Sequence, residues 1–462
     1  MTDKWKKKIH QNRIFVLVLV VALVMILIYQ SSASANVPFM DYWKYIDRLV
    51  DKMYTQGVSF NDLYTSNGVH RSPIQLFIFL CNVRLFHYNA QIEVYLGGML
   101  LGVLGCVLYK ELKKEMQCRS SNIWLNIGSI CIVALLFNLN QWEILSDEFA
   151  FSFVLRLMAF ELSFIITNNY LKNIKKDGSY AVEIAMLYTF TICGLSGAFF
   201  LAYGGALVVV IIWDFLRREN VEKKRYLKYY IILGLGLFLG AILYVVGLDM
   251  NTANGTTSSI GISLLVKYFK AIVIMLGATI MGTSASQTLV IICGLGLCLI
   301  YIGSVILYFY KKMYKKTYLP ILFMTYSLFI IFVICMGRVQ YGFDYLCSSR
   351  YVGDTQLGIL ACIWIYCIYL KGIMNFNKQN MCKIIIMSII VIILGGIAYA
   401  DINEWGIKGY RKEYYADINN LMLNIENLSD GELAKCQADP KSVRESVEIM
   451  KKYKIGLYQY YK

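Results

Sequence analysis

The chain has few charged residues and few histidines, and each shortage excludes one kind of protein or site. Of its 462 residues, 16% are charged and 58% are hydrophobic, whereas soluble globular proteins usually carry about 25% charged residues. An ordinary soluble domain is therefore excluded. The three histidines, His10, His70 and His87, are too few for a multi-histidine metal site. A glycine-rich phosphate loop and a Cys-x-x-Cys pair outside the apolar runs are also lacking.

Long apolar runs make up most of the chain. A helix needs about 20 mostly apolar residues to cross a hydrocarbon core about 30 Å thick. Helices are favoured because a membrane span must satisfy its own backbone hydrogen bonds and these runs lack strand alternation. The sequence predicts an all-α polytopic transmembrane helix bundle of about eleven spans, at 14–29, 91–109, 123–139, 149–170, 180–195, 198–215, 229–248, 289–310, 318–336, 356–370 and 384–400.

The formal charge of +15 is distributed between these runs rather than along one face. Basic clusters follow every second span, as the positive-inside rule requires for a multi-pass protein of the cell membrane. This pattern indicates an amino terminus inside and a carboxyl terminus outside, and it does not favour nucleic-acid binding. The rule is obeyed only if Pro73–Phe86 and 264–281 do not cross. Both are therefore predicted as outer interfacial or re-entrant helices.

The predicted organisation has two parts. Residues 1–400 form the membrane domain, with a long outer loop at 30–72 and the interfacial helix after it. Residues 401–462 are more polar and form a small outer helical segment, in which Pro440 suits a helix start and Ser442–Tyr453 keeps Val443, Val447, Ile449 and Met450 near one face. Cys347 and Cys436 are the cysteines in outer segments, so at most one outer disulfide is expected.

The first outer loop carries the first candidate site residues. Asp41 lies among aromatic residues beside the membrane, where it could act as a base toward an acceptor hydroxyl or hold a divalent cation. A helix-capping aspartate beside interfacial aromatic anchors is the alternative. His70 and Arg71 could bind a phosphate, and a lipid-headgroup contact is the alternative.

Two further outer clusters complete the set. The turn before 149 places Glu143, Asp147 and Glu148 together without a basic partner, and the following span carries Arg156 and Glu161. A solvated turn with a buried structural ion pair is the alternative reading. Arg338 and Arg350, the latter followed by Tyr351, lie outside against the positive-inside bias, which indicates an anionic ligand or pairing with Asp344 or Asp354.

The order of these landmarks resembles the GT-C superfamily of membrane glycosyltransferases, which use polyprenyl-phosphate sugars. The resemblance is carried by Asp41-Tyr42-Trp43, His70-Arg71, Ser72-Pro73-Ile74-Gln75-Leu76, Gln141-Trp142-Glu143 and Ser349-Arg350-Tyr351. More closely, these motifs resemble a poorly characterised bacterial family of GT-C-like polytopic proteins. Asp41 matches the first-loop catalytic acid of the superfamily. Tyr42 stands where many members have a second acid, which leaves metal dependence open.

The resemblance implies transfer of a sugar from a polyprenyl-phosphate donor to an extracytoplasmic glycan, lipid or protein acceptor. Asp41 would act as base with Glu143 or Asp147 as helper. The phosphate would be held by basic and aromatic residues, namely His70, Arg71, Arg338, Arg350 and Tyr351. No cofactor is required apart from the divalent cation left open. A transporter or flippase of lipid-linked saccharides and an inert membrane scaffold are the rival hypotheses.

Overall fold

The structure is a computed structural model that describes residues 12–66, 70–118, 122–248, 262–372 and 380–460. The basic cluster at Lys4, Lys6, Lys7 and Lys8, on which the predicted orientation rests, lies outside these residues. Within them the protein is helical and contains no β-strand. The longer helices are α1 (Arg13–Ala33), α2 (Pro73–Phe86), α3 (Ala90–Glu115), α4 (Ile123–Leu136), α5 (Ala150–Asp177), α6 (Ala181–Gly194), α7 (Phe200–Arg217), α8 (Asn220–Val245), α9 (Ile262–Met281), α10 (Gln287–Tyr310), α11 (Leu319–Arg338), α12 (Val352–Gly372), α13 (Asn380–Leu423) and α14 (Pro440–Tyr453).

Short helical turns fill the connections. In the first loop they are Tyr42–Tyr45, Ile46–Val50, Asp51–Thr55 and Phe60–Leu63. In the bundle they are Leu139–Gln141, Trp142–Ser146, Gly178–Tyr180, Gly197–Phe199, Met313–Lys315, Val339–Tyr341, Phe343–Leu346 and Ser349–Tyr351. The carboxyl-terminal segment contains Ile425–Asn427, Asp430–Leu433, Ala434–Cys436 and Gly456–Tyr460.

Ten helical stretches of the described residues are long and apolar enough to cross a membrane. They correspond to ten of the eleven predicted spans, so the protein is a multi-pass membrane protein. The remaining predicted span, 180–195, forms α6, which has only 14 residues. A helix of that length rises about 21 Å, less than the hydrocarbon core. The number of crossings and their orientation stay predictions.

Helix α12 lies at the centre of the bundle. It has no polar stripe, and every residue from Val352 to Ile368 is buried against neighbouring helices, as expected of a helix at the centre of a bundle. A Cβ atom added at Gly358 would lie 1.9 Å from the Tyr301 hydroxyl, so glycine permits the close approach of α10. Peripheral helices instead expose large apolar side chains, including Leu17, Leu299 and Ile392, on the surface that lipid would cover.

The two segments predicted not to cross differ in their surroundings. The prediction of a helix over Pro73–Phe86 is confirmed, and α2 is too short to span while exposing Phe77 and Leu85. In helix α9, residues 266–270 are mostly exposed and residues 271–280 are mostly buried. Its Gly277 meets α10 so closely that an added Cβ atom would lie 1.9 Å from the Val290 carbonyl oxygen. Helix α9 therefore packs within the bundle, which agrees better with a re-entrant helix than with one on the interface.

The first outer loop and the carboxyl-terminal segment form a second hydrophobic core on one side of the bundle. Tyr42, Trp43 and Ile46 pack there with Val443 and Val447 of α14. As predicted, α14 begins at Pro440, and Asp439 caps it by accepting a hydrogen bond from the Ser442 amide. The predicted domain boundary at 400 falls inside α13, which continues from the apolar bundle into this core. Cys347 and Cys436 are free thiols.

Candidate functional site

A cavity of about 730 Å³ lies between the bundle and the outer loop. Its wall combines the loop around Asp41, the start of α2, the turn at Trp142–Ser146, the first turns of α5, the Gly197–Phe199 turn before α7, and the end of α11. Seven of the eight predicted site residues line this cavity, although they are widely separated in the sequence: Asp41, His70, Glu143, Asp147, Arg338, Arg350 and Tyr351. The eighth, Arg71, does not.

Asp41 is presented to the cavity by a constrained turn. The preceding residue, Met40, has a left-handed φ of 50°, which costs a non-glycine residue about 1–2 kcal/mol. The turn is held by hydrogen bonds from the Phe39 amide to Glu148 Oε1 (2.7 Å) and from the Met40 amide to the Cys436 carbonyl (3.2 Å). Within the described part of the chain, the Asp41 carboxylate has no ion pair or hydrogen bond of its own. It is therefore available to a ligand.

Glu143 is fully engaged by its neighbours. Its Oε1 forms an ion pair with Arg350 at 2.6 Å, while Oε2 accepts hydrogen bonds from the Ser348 and Ser349 hydroxyls at 3.0 and 3.1 Å. Arg350 Nε also donates to the Ser348 hydroxyl. Because each carboxylate oxygen already has strong donors, Glu143 acts here as the anchor that orients Arg350. The predicted pairing of Arg350 with Asp344 or Asp354 is wrong.

Asp147 is the second carboxyl group of the same turn. Its side chain is 3% exposed, and its Oδ1 accepts a hydrogen bond from the Phe149 amide at 2.9 Å. Burial raises the pKa of Asp147 well above its usual range, and the charge of Glu143 adds to this. Burial and the Asp147 charge likewise raise the pKa of Glu148. Asp147 can therefore offer a proton to a ligand where an exposed aspartate could not.

Two arginines share an aromatic wall of the cavity. The guanidinium carbon of Arg338 lies 5.6 Å from the centre of the Tyr345 ring, and that of Arg350 lies 5.9 Å from the same ring. Arg338 has no ion pair or hydrogen bond within the described residues, in contrast to Arg350. Tyr351 is 7% exposed and completes this wall. Arg338, held against ring faces, keeps its forked donors available to an anion, whereas Glu143 fixes the direction of Arg350.

The side chains of His70 and Arg71 point in opposite directions. His70 lines the cavity, where burial lowers its pKa, the Asp41 charge opposes this, and Arg338 and Arg156 reinforce it. Arg71 is 3% exposed and donates to the carbonyl oxygens of Leu243, Tyr244 and Val246 at 2.7–3.0 Å. These bonds satisfy the last carbonyls of α8. The structure thus gives Arg71 a structural position away from the cavity.

Arg156 lines the cavity, although it is not among the residues predicted for the site. Arg156 Nη2 forms an ion pair with Asp354 Oδ2 at 2.7 Å, not with Glu161. Glu161 is fully buried, and in the described part of the chain neither of its carboxylate oxygens has a hydrogen-bond partner. Five residues along a helix correspond to about 140° of rotation, so the two side chains diverge. That angle was the signal that Arg156 needed another partner.

Lys44 and Arg48 also line the cavity and were not assigned to the site. They lie one helical turn apart, a spacing that places both on one face and that could have identified them. Among the described residues, no group of three or more histidine, cysteine, aspartate or glutamate side chains is arranged to hold a metal ion. The divalent cation stays a prediction.

Comparisons with protein-family models, curated proteins and solved structures found no match to this chain. The resemblance to the GT-C superfamily consequently rests on the residue motifs, and it stays a prediction.

Proposed function

We propose that the protein is a glycosyltransferase of the cell membrane that moves a sugar from a polyprenyl-phosphate donor to an acceptor on the outer side. One observation carries the proposal: Asp41, a carboxylate without a partner in the described structure, shares a cavity with Arg338 and Arg350. A free base and a cationic phosphate site are the two elements that such a transfer needs.

The residues have separate roles in this reaction. The acceptor hydroxyl attacks the anomeric carbon of the sugar while Asp41 takes the hydroxyl proton. The bond between that carbon and the phosphate oxygen breaks, and the phosphate leaves with the electron pair. Arg338 and Arg350 stabilise the charge on the leaving phosphate, as preorganised donors do in other transferases, and His70 lines the same cavity. Asp147, whose pKa is raised, donates a hydrogen bond to the bound substrate.

A transfer assay on the full chain in lipid tests this proposal. Radiolabelled polyprenyl-phosphate sugars serve as donors and membrane extract as acceptor. Asp41→Asn should lower transfer by about 10²–10⁴-fold, the usual contribution of a general base, without unfolding the protein. Asp344→Asn is the matched control, since Asp344 is exposed on the same outer face and does not line the cavity. Wild-type turnover by Asp41→Asn would eliminate Asp41 as the base.

A flippase of lipid-linked saccharides is the second candidate, and buried charge within the spans favours it. Arg156 on α5 pairs with Asp354 on α12, and Glu161 is buried one turn further along α5. Such residues often mark a path through a bundle. Binding of the donor without product, together with donor movement across vesicles that Asp41→Asn leaves unchanged, would support this candidate and contradict the transferase.

Proximity of Asp41 and Arg350 argues against an inert scaffold. Arg350 Nη1 lies 3.9 Å from the sulfur of Met40, the residue before Asp41. A sugar phosphate can therefore contact both residues at once, whereas a scaffold has no need to gather these groups around an open cavity.

A further inference from the structure

Arg156 has the construction of an anion-binding residue. It lines the cavity but is only 6% exposed. Its guanidinium lies over two phenyl rings, 4.3 Å from the centre of Phe153 and 3.9 Å from that of Phe199. One end of the guanidinium binds Asp354, while its buried Nε has no hydrogen-bond partner among the residues that the structure describes. A buried donor without an acceptor is destabilising, and a bound anion would supply the acceptor.

Arg156 belongs to a row of basic groups along the cavity. Arg350 and Arg338 flank the Tyr345 ring, and the charges of Arg338 and Arg156 both act on His70. Each terminal arginine is fixed by its own carboxylate, Glu143 at one end and Asp354 at the other. Between these ends, His70 and Arg338 both line the cavity, and the charge of Asp41 also acts on His70.

Like charges gathered in this way repel each other, and an anion between them removes the repulsion. The row is also longer than one phosphate needs. Arg338 and Arg350 lie against the same Tyr345 ring, whereas Arg156 and His70 both lie against the Gly197–Phe199 turn: Arg156 is 3.9 Å from the centre of the Phe199 ring, and a Cβ atom added at Gly197 would lie 3.8 Å from His70 Nδ1. Two groups of donors, each with an arginine whose plane is fixed by aromatic rings, match two phosphate groups rather than one.

We propose that the cavity binds two phosphate groups at once, one on Arg338 and Arg350 and the other on Arg156 and His70. This inference rests on the proposed function only in assigning the first phosphate to a lipid-linked donor. The second phosphate is either the second group of a polyprenyl diphosphate or a phosphate carried by the acceptor. Both sources present the same chemistry to Arg156, and their stoichiometry distinguishes them.

Binding of short prenyl phosphates to the full chain in phosphatidylcholine nanodiscs tests the proposal. The probes are geranylgeranyl monophosphate and geranylgeranyl diphosphate, titrated calorimetrically. A diphosphate donor predicts one diphosphate per protein, bound about tenfold or more tightly than the monophosphate. A phosphorylated acceptor predicts two monophosphates per protein. One monophosphate bound as tightly as one diphosphate would overturn the second phosphate position while leaving the donor site intact. Failure of both lipids to bind would overturn the proposed donor class as well.

Substitutions locate the second position. Arg156→Gln combined with Asp354→Asn removes both members of the ion pair, so no buried charge is left alone. This double variant should abolish the diphosphate preference, or the second monophosphate, and keep the first monophosphate within about twofold. His70→Gln breaks no ion pair and should reduce the same preference, which keeps the test valid if the double variant does not fold. Arg338→Gln should weaken both probes. An unchanged preference in folded variants at 156 and 70 would contradict the proposal.

Discussion

Replacing Glu143 with glutamine separates two roles for this residue. The sequence pattern suggests a helper in catalysis, whereas the structure engages Glu143 with Arg350, Ser348 and Ser349. Glutamine keeps the size of the side chain and one oxygen acceptor, but it removes the charge that holds Arg350. Its amide nitrogen must also face either a guanidinium or two hydroxyls. We therefore expect Glu143→Gln to act through the position of Arg350.

The expected loss of stability follows from how deeply the Glu143–Arg350 ion pair is buried. Breaking a fully buried ion pair costs about 3–5 kcal/mol. The Glu143 side chain is 9% exposed and the Arg350 side chain is 31% exposed, so water screens part of the interaction. Glutamine also retains an acceptor for one serine. We expect a loss of about 2 kcal/mol in the free energy of unfolding. If the displaced Arg350 costs about 2 kcal/mol more in the donor complex alone, donor binding weakens by about 30-fold.

Denaturant unfolding in mixed micelles and donor titration measure the two effects. The control is Glu448→Gln, whose ion pair with Lys451 is exposed and should contribute less than about 1 kcal/mol. Loss of stability and of donor affinity together would agree with an anchor. Unchanged stability and affinity with strongly reduced turnover would refute this reasoning and restore Glu143 as the helper in catalysis.

Two further substitutions test assignments made above. Arg71→Gln removes hydrogen bonds to three carbonyl oxygens at the end of α8. The free energy of unfolding should therefore fall by about 2 kcal/mol, while donor affinity stays within about twofold. A folded variant with much weaker donor binding would contradict this. The pKa of Asp147 is raised in the folded protein, so ionising this carboxyl group costs more in the folded than in the unfolded state. The protonated Asp147 therefore contributes to stability at low pH, and this contribution is lost as pH rises through the folded pKa. Asp147→Asn should reduce this alkaline loss in melting curves, and identical pH profiles would contradict it.

The helical fold was largely predictable, because lipid imposes length and composition on each span. Helix α2 was predicted with its bounds, and α14 with its proline start. The packing of α9 was not predictable from charge parity. Lys267 and Lys270 are exposed, while the buried residues 271–280 depend on the close contact at Gly277 with α10, a partner that hydropathy does not identify.

Residue type and loop position were enough to predict that the side chains of the site come together, but not the direction of a side chain that its neighbours decide. Acids and arginines placed in outer loops do converge on one cavity. His70 and Arg71, however, follow each other in a non-helical segment, where consecutive side chains point to opposite sides. One therefore lines the cavity and the other binds α8. Arg156 was missed because its partner, Asp354, lies almost 200 residues away in the sequence.

The position of Asp41 depends on parts of the chain that no local pattern connects. Its turn is held by Glu148 from the bundle and by the Cys436 carbonyl from the carboxyl-terminal segment. The Ser446 hydroxyl of α14 donates to the Trp43 carbonyl at 2.6 Å, which fixes the helical turn that follows Asp41. These bonds compensate for the left-handed backbone at Met40. The carboxyl-terminal segment is therefore part of the structure that aims Asp41 into the cavity, and an acceptor that contacts this segment would act on the site directly.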